Sequence, residues 1–316
     1  MPIRFTSPSL GGQAGTFLAA GEWRVGLAYR HLHANEWFVG KEVREDLAPF
    51  GQPLFLNIDS LDVTAEYGIT SRLSAQLTIP FSHGTHSRIY GDGNRHEVSA
   101  TGLGDINLVG RYWLFDPGAH RNGNVSLGLG VKTPSGKNDV TDNVFDSPKV
   151  PVSTVDQSIQ LGDGGWGIIL EFSAFQRLFE SGYGYANASY LVSTRNQTTV
   201  IQGGTFVDVP DVYSYRLGLA YAGIPVKGLS FSLGGRIDGI PIHDLFGNSI
   251  GFRRPAIVGY VDPGLSLALG RGEFTLNVPV RVWADFRPSL HDQQASQPGG
   301  GDLAKVLVFV GYTQRF

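Results

Sequence analysis

The chain of 316 residues has no cysteine and a single methionine. Without thiols there is no disulfide scaffold, no thiolate metal site and no cysteine nucleophile. Charge is scarce: Asp, Glu, Lys and Arg make up 17% of the chain, against about 25% in ordinary soluble domains. The net charge of −3 leaves no basic field for nucleic acid. Long apolar runs are missing too. The longest aliphatic and aromatic stretch is 306–310, far short of the ~20 residues a membrane helix needs. The start, Met1-Pro2-Ile3-Arg4-Phe5, has neither the basic stretch nor the apolar core of a secretion signal, so an exported protein would be in its mature form here. Glycine, in contrast, is abundant at 43 residues, and a hydrophobic content of 41% suffices for a core and argues against disorder.

Twelve segments alternate apolar and polar side chains with period two, and no long stretch has helical period. Their apolar rows lie in 23–29, 61–67, 73–81, 106–114, 125–131, 166–172, 186–192, 213–221, 229–237, 257–269, 274–282 and 306–312. A soluble sandwich would alternate as well; the links between segments discriminate. Short links at 68–71, 116–123, 178–182, 223–228 and 270–272 take turns with long polar ones at 33–53, 82–103, 135–162, 193–211, 239–254 and 287–302. An even strand number, short turns at one end and long loops at the other predict an all-β fold, a twelve-stranded antiparallel transmembrane β-barrel with short periplasmic turns and long extracellular loops. The uncharged apolar rows are long enough to cross the hydrocarbon, and aromatics at the row ends form interfacial girdles. Residues 20–316 make the barrel; residues 1–19 form a separate segment.

The polar rows then face the lumen. They carry seven basic residues, Arg24, Arg30, Arg111, Lys132, Arg216, Arg236 and Arg281, and seven acidic ones, Asp62, Glu66, Asp105, Glu171, Asp238, Asp262 and Asp285. Equal counts argue against a strongly ion-selective pore; they fit a paired network that stiffens the wall, or a charged constriction that orders solute flow. Large groups share these rows: Trp113, Phe175, Tyr183, Tyr185, Tyr260, Trp283 and Phe309, joined by Phe5. They line a hydrophobic path, or simply fill a narrow barrel. His31 and His33 share a strand face, but no acidic or cysteine partner stands at fixed spacing, and Asp139, Asp142, Asn143 and Asp146 lack the twelve-residue calcium pattern. Ser82, Ser87, His83 and His86 have neither a third catalytic member nor a Gly-x-Ser-x-Gly elbow, so no enzyme, metal or cofactor is expected.

Several segments carry a family resemblance: Gly102-Leu103-Gly104-Asp105-Ile106, Gly130-Val131-Lys132-Thr133-Pro134-Ser135-Gly136, Leu161-Gly162-Asp163-Gly164, Gly235-Arg236-Ile237-Asp238-Gly239-Ile240-Pro241, Phe252-Arg253-Arg254-Pro255 and Val278-Pro279-Val280-Arg281-Val282. Over about residues 55–316 the chain resembles the meta-pathway phenol-degradation outer-membrane channels, with Thr133 where that family has a small apolar residue. The resemblance implies a twelve-stranded channel, a segment before the first strand that occludes the lumen, and uptake of small hydrophobic molecules. The expected function is passive uptake of hydrophobic or aromatic compounds across a Gram-negative outer membrane. The alternatives are a general diffusion porin and a barrel hydrolase. The expected partners are outer-membrane lipid, lipopolysaccharide and small hydrophobic solutes, with no nucleic acid, and the channel is expected to be a monomer.

Three structural expectations follow. The apolar but non-alternating residues 1–19, interrupted by Pro and Gly, enter the lumen and touch its aromatics. The tight turn at Gly270-Arg271-Gly272 puts Asp262 opposite Arg281 if paired numbers sum to 543, or diagonal to it if they sum to 541. Pro263 and Pro279, both within strands and near each other in either register, open the wall sideways, because proline cannot donate to the ladder.

Overall fold

The computed structural model describes residues 17–48, 51–143, 145, 152–202 and 204–316. Twelve strands form one closed antiparallel barrel: β1 (Trp23–Val39), β2 (Phe55–Gly68), β3 (Leu73–Ile89), β4 in two parts (Arg95–Leu103 and Asn107–Trp113), β5 (Gly123–Lys132), β6 (Gly167–Phe179), β7 (Gly182–Ser193), β8 (Val212–Tyr221), β9 (Leu229–Ile240), β10 (Ala256–Leu269), β11 in two parts (Gly272–Asn277 and Val280–Phe286) and β12 (Gly301–Arg315). Each pairs with its sequence neighbour, and β12 returns to β1, from Arg24↔Arg315 to Phe38↔Gly301. Closure leaves no strand edge in the belt, as a sheet in hydrocarbon requires.

The alternation sorts the faces as expected. Leu27, Leu129, Leu217 and Leu233 lie exposed on the outside, whereas Asp62, Lys132, Arg236 and Asp262 are buried inside. Aromatics close the outer belt: Trp23 with Tyr67 and Phe274 with Tyr312 at the short-turn end, Tyr190, Tyr213 and Tyr215 at the other. Strands β1 to β4 continue beyond the belt. Their outer row there is polar, with His31, Asp59, His83 and Thr101 as successive cross-strand neighbours. His31 pairs with Asp59 at 2.8 Å and His83 bonds Thr101 at 2.7 Å. These histidines therefore form a polar rim. Among the described residues no cluster of three His, Cys, Asp or Glu could hold a metal.

Strand β11 departs from the simple alternation. Its register against β10 is Leu269↔Gly272 through Val261↔Val280, summing to 541 and not to 543. Asp262 and Arg281 both face inward, but they find other partners. A bulge at Val282 then shifts the pairing, from Tyr260↔Arg281 to Gly259↔Trp283, and a one-residue shift turns every later side chain to the other face. Trp283, expected inside, therefore lies exposed on the outer face across Gly259. Asp285, opposite the outward Ile257, also leaves the lumen and pairs with Arg287 at 3.1 Å.

At Pro263–Pro279, where a sideways opening is expected, the strand is broken but the wall stays bridged. β11 breaks at Val278–Pro279, but the Val278 N–H donates to the Pro263 carbonyl at 3.1 Å and the Leu307 N–H to the Pro279 carbonyl at 3.0 Å. Pro263 faces outward, and its missing donor costs the wall no registration, since the register is the same on both sides of the break.

Candidate functional site

The lumen is layered. Its upper part, towards the long loops, is apolar: Leu32, Leu56, Val98, Ala100, Val258, Tyr260, Phe286, Leu303 and Leu307 converge from β1, β2, β4, β10, β11 and β12. The later part of the long loop between β5 and β6, residues 152–162, folds into this space. A single 3-10 turn, Gln157–Ile159, is capped by the Asp156 side chain, which accepts from the Ser158 N–H at 2.8 Å. This turn delivers buried Ile159, with Leu161 beside it, to the centre of the cluster. Glycines on the wall make room. A Cβ on Gly84 would sit 2.9 Å from Ile159, and one on Gly102 would meet Leu161 at the same distance. Burying an Ile side chain contributes about 1.5–3 kcal/mol, which helps offset the cost of ordering the loop.

Below this constriction the lumen is ionic, with its charges paired. Arg30 pairs with Asp62 at 3.0 Å, Arg24 with Glu66 at 3.1 Å, Arg111 with Glu171 at 2.6 Å, Arg216 with Asp262 at 2.6 Å and Arg236 with Asp238 at 2.9 Å. Lys132 is held by Asp105 at 2.8 Å, Asp163 at 2.7 Å and the Gly165 carbonyl at 2.7 Å. Arg281 pairs with Glu36 instead of Asp262, higher up, among Phe38, Leu303 and Ala304 of the apolar cluster. All seven basic side chains expected in the lumen thus have carboxylate partners. Glu36 escaped the sequence reading because β1 runs past two bulges to Val39, through what reads as a link. Asp163 lies on the inward-folded loop, whose path alternation does not record.

The expected aromatics that stay in the lumen do not line one path: one group lies above the ionic layer, one below it, and Tyr185 within it. Tyr260 and Phe309 belong to the apolar upper lumen, and the Arg236 guanidinium stacks 4.9 Å from the Phe309 ring. Trp113 and Phe175 sit at the short-turn end, 6.1 Å apart and edge to face. Tyr185 is buried at mid-height beside Arg216, and Tyr183 is half-buried nearer the short turns. Phe17 joins Trp113 at 4.8 Å and Phe175 at 5.8 Å, so the end of the segment before β1 does reach lumenal aromatics. Phe5 and the rest of residues 1–16 lie outside the described residues.

Above the constriction opens a vestibule of about 790 Å³. Its lining mixes apolar Trp37, Val98, Val155 and Phe252 with polar His86, Asp156 and Arg254. Arg254 stacks over Trp37 at 4.8 Å and Phe252 at 5.0 Å. Burial alone would raise the Asp156 carboxyl, but the charges of His86 and Arg254 and the Ser158 hydrogen bonds outweigh it and hold the group at about 2.

Beside the constriction the wall lacks a regular ladder, as it also does between β11 above Val280 and β12, which pair only at Val280↔Val306. β5 stops at Lys132, whereas β4 continues to Arg95, and there β4 pairs with β3 alone. At the break between the two parts of β4, side chains replace ladder bonds. The Ser135 hydroxyl accepts from the Ile106 N–H at 2.8 Å and donates to the Gly104 carbonyl at 3.0 Å. Pro80 of β3 faces this break and accepts from the Gly104 N–H at 2.8 Å. Just inside is a cavity of about 60 Å³, lined by Pro80, Gly104, Asn107, Ile159 and Leu161 among others.

No protein-family model and no curated protein matches the sequence. Among solved structures, an outer membrane channel from Pseudomonas putida F1 aligns over 98% of this chain and 100% of its own, with a TM-score of 0.65 at 13% identity. A Pseudomonas aeruginosa FadL homologue aligns over 94% of this chain and 90% of its own, with a TM-score of 0.46 at 7% identity. At such identities the first likeness establishes the shared barrel fold.

Proposed function

We propose that the protein is an outer-membrane channel that admits small hydrophobic or aromatic compounds by passive uptake. The observation that carries this reading is the layered lumen: an apolar constriction beneath a roomy vestibule and above a layer of paired charges. A sugar or an ion entering the vestibule must shed water against Leu32, Ile159 and Leu307, beside polar groups such as Arg30 that already have a carboxylate partner. An aromatic solute gains there instead. Burying ~150 Å² of apolar surface is worth about 4 kcal/mol. The same solute cannot continue downward without parting buried ion pairs, at about 3–5 kcal/mol each.

The exit that avoids this cost is sideways into the bilayer, at the level of the Lys132–Asp105 pair, through the side-chain-bridged break at Gly104–Ile106. The shared fold with the P. putida channel supports the outer-membrane location. The resemblance of the Gly-Asp and Lys-x-Pro-x-Gly segments to phenol-degradation channels supports aromatic solutes.

Proteoliposomes test the reading directly. Uptake of a toluene-like solute into vesicles should rise over protein-free vesicles, while swelling in sugars stays at the protein-free rate. Fast swelling in sugars without enhanced aromatic uptake would identify a general diffusion porin instead.

A further inference from the structure

The geometry points to the turn between β9 and β10 as a lipid anchor that sets Leu245 and Phe246 into the acyl layer of the outer leaflet, beside the barrel. This rests on the reading of the chain as an outer-membrane barrel. Leu245 is 59% and Phe246 72% exposed. Turn tips are ordinarily polar, and this one is built rather than loose. Gly247 takes a positive φ of 86° that closes the turn, and the Asn248 N–H donates to Asn196 Oδ1 at 3.2 Å. At the base, fully buried Arg253 bridges Asp208 at 2.8 Å and Asp244. Ser249 closes on Asp244 at 3.0 Å.

The position of the turn identifies what covers it. The Leu245 N–H donates to Asp211 Oδ2 at 2.9 Å, and the same carboxylate oxygen accepts from the Tyr190 hydroxyl at 2.9 Å. Tyr190 lies on the outer face of β7, stacked with Tyr213 at 6.3 Å, and Tyr213 leans on Tyr215 at 5.4 Å. These rings are the upper girdle of the apolar belt. The apolar tip therefore hangs on the outside of the rim, continuous with the lipid-facing surface, and not over the vestibule mouth. A polar scaffold holding two bare apolar side chains at that height fits the boundary between lipid headgroups and acyl chains.

The absence of native cysteine makes single spin labels unambiguous. Phe246→Cys, Leu217→Cys in the mid-belt and Glu42→Cys in a long loop are each labelled with a nitroxide, in bilayers at low protein density. Access to oxygen and to a water-soluble nickel chelate is then measured. The label at position 246 should show severalfold lower nickel access and higher oxygen access than that at 42, approaching the label at 217. Nickel access at 246 equal to that at 42, with 217 protected, overturns the anchor alone. Loss of protection at 217 as well overturns the membrane-spanning reading beneath it. Protection at 246 that vanishes on dilution of protein in lipid means a second copy covers the tip, which also overturns the proposal.

Discussion

At the scale of single residues, the lumen is governed by what a buried charge demands. Lys132 is among the most deeply buried side chains, and it survives there only because two carboxylates and a carbonyl surround it. Lys132→Ala leaves Asp105 and Asp163 facing each other without a cation. The expected loss is about 3–5 kcal/mol of unfolding free energy in denaturant titrations, and Asp105→Asn in the same chain should recover part of it. Asp156 supplies a pH dependence with a definite sign. Its carboxyl is held at about 2 against an ordinary 3.8, so its contribution is fully present above pH 4 and is lost as pH falls through 2. The loop it caps should loosen in that window. Single-channel conductance should be low and flat from pH 7 to 4 and rise towards pH 2. In Asp156→Asn it should already be raised at pH 7.

At the scale of elements, the loop between β5 and β6 fills the upper lumen with Ile159 and Leu161. It is seated by wall glycines, so refilling one of them should unseat it. In Gly84→Val the new side chain meets Ile159 at under van der Waals distance. Such overpacking costs about 1–3 kcal/mol, and expelling Ile159 from the lumen is the way to relieve it. Planar-bilayer recordings should show a larger ion conductance than in the unsubstituted protein. The break in β4 is the second decisive element. Ser135→Ala removes the hydroxyl that bridges Ile106 and Gly104, at about 1 kcal/mol for each hydrogen bond. Vesicle uptake of an aromatic solute should quicken while sugar swelling stays unchanged. Unaltered aromatic uptake would place the exit elsewhere.

At the scale of the whole molecule, stability comes from a ladder that closes on itself, β12 to β1, and from a lumen filled by its own side chains and one folded-in loop. A closed ladder must be broken in many places before any strand leaves, so the barrel should stay folded in dodecyl sulfate until heated. On gels, unheated and boiled samples should run at different positions. A single position, independent of heating, would contradict a closed barrel of this kind.

Period-two alternation and the rhythm of short and long links determined the strand number, the antiparallel order and the inner and outer faces of most strands, because these depend on local pattern alone. The same pattern placed Arg24, Arg30, Asp62, Lys132, Arg216 and Asp262 in the lumen. It could not place Trp283 and Asp285, since a bulge inverts the faces and nothing in Val280-Arg281-Val282-Trp283 announces one. Proline positions alone, Pro263, Pro279, Pro80 and Pro134 alike, could not say where the ladder is interrupted. Pro263 and Pro279 sit in a ladder that neighbouring carbonyls and amides keep closed, whereas Pro80 faces the break in β4, where β5 has already turned inward. Which acid meets which base, the descent of Ile159 into the lumen and the position of the Leu245–Phe246 tip are settled by contacts between residues distant in the chain. Only the closed barrel brings those residues together.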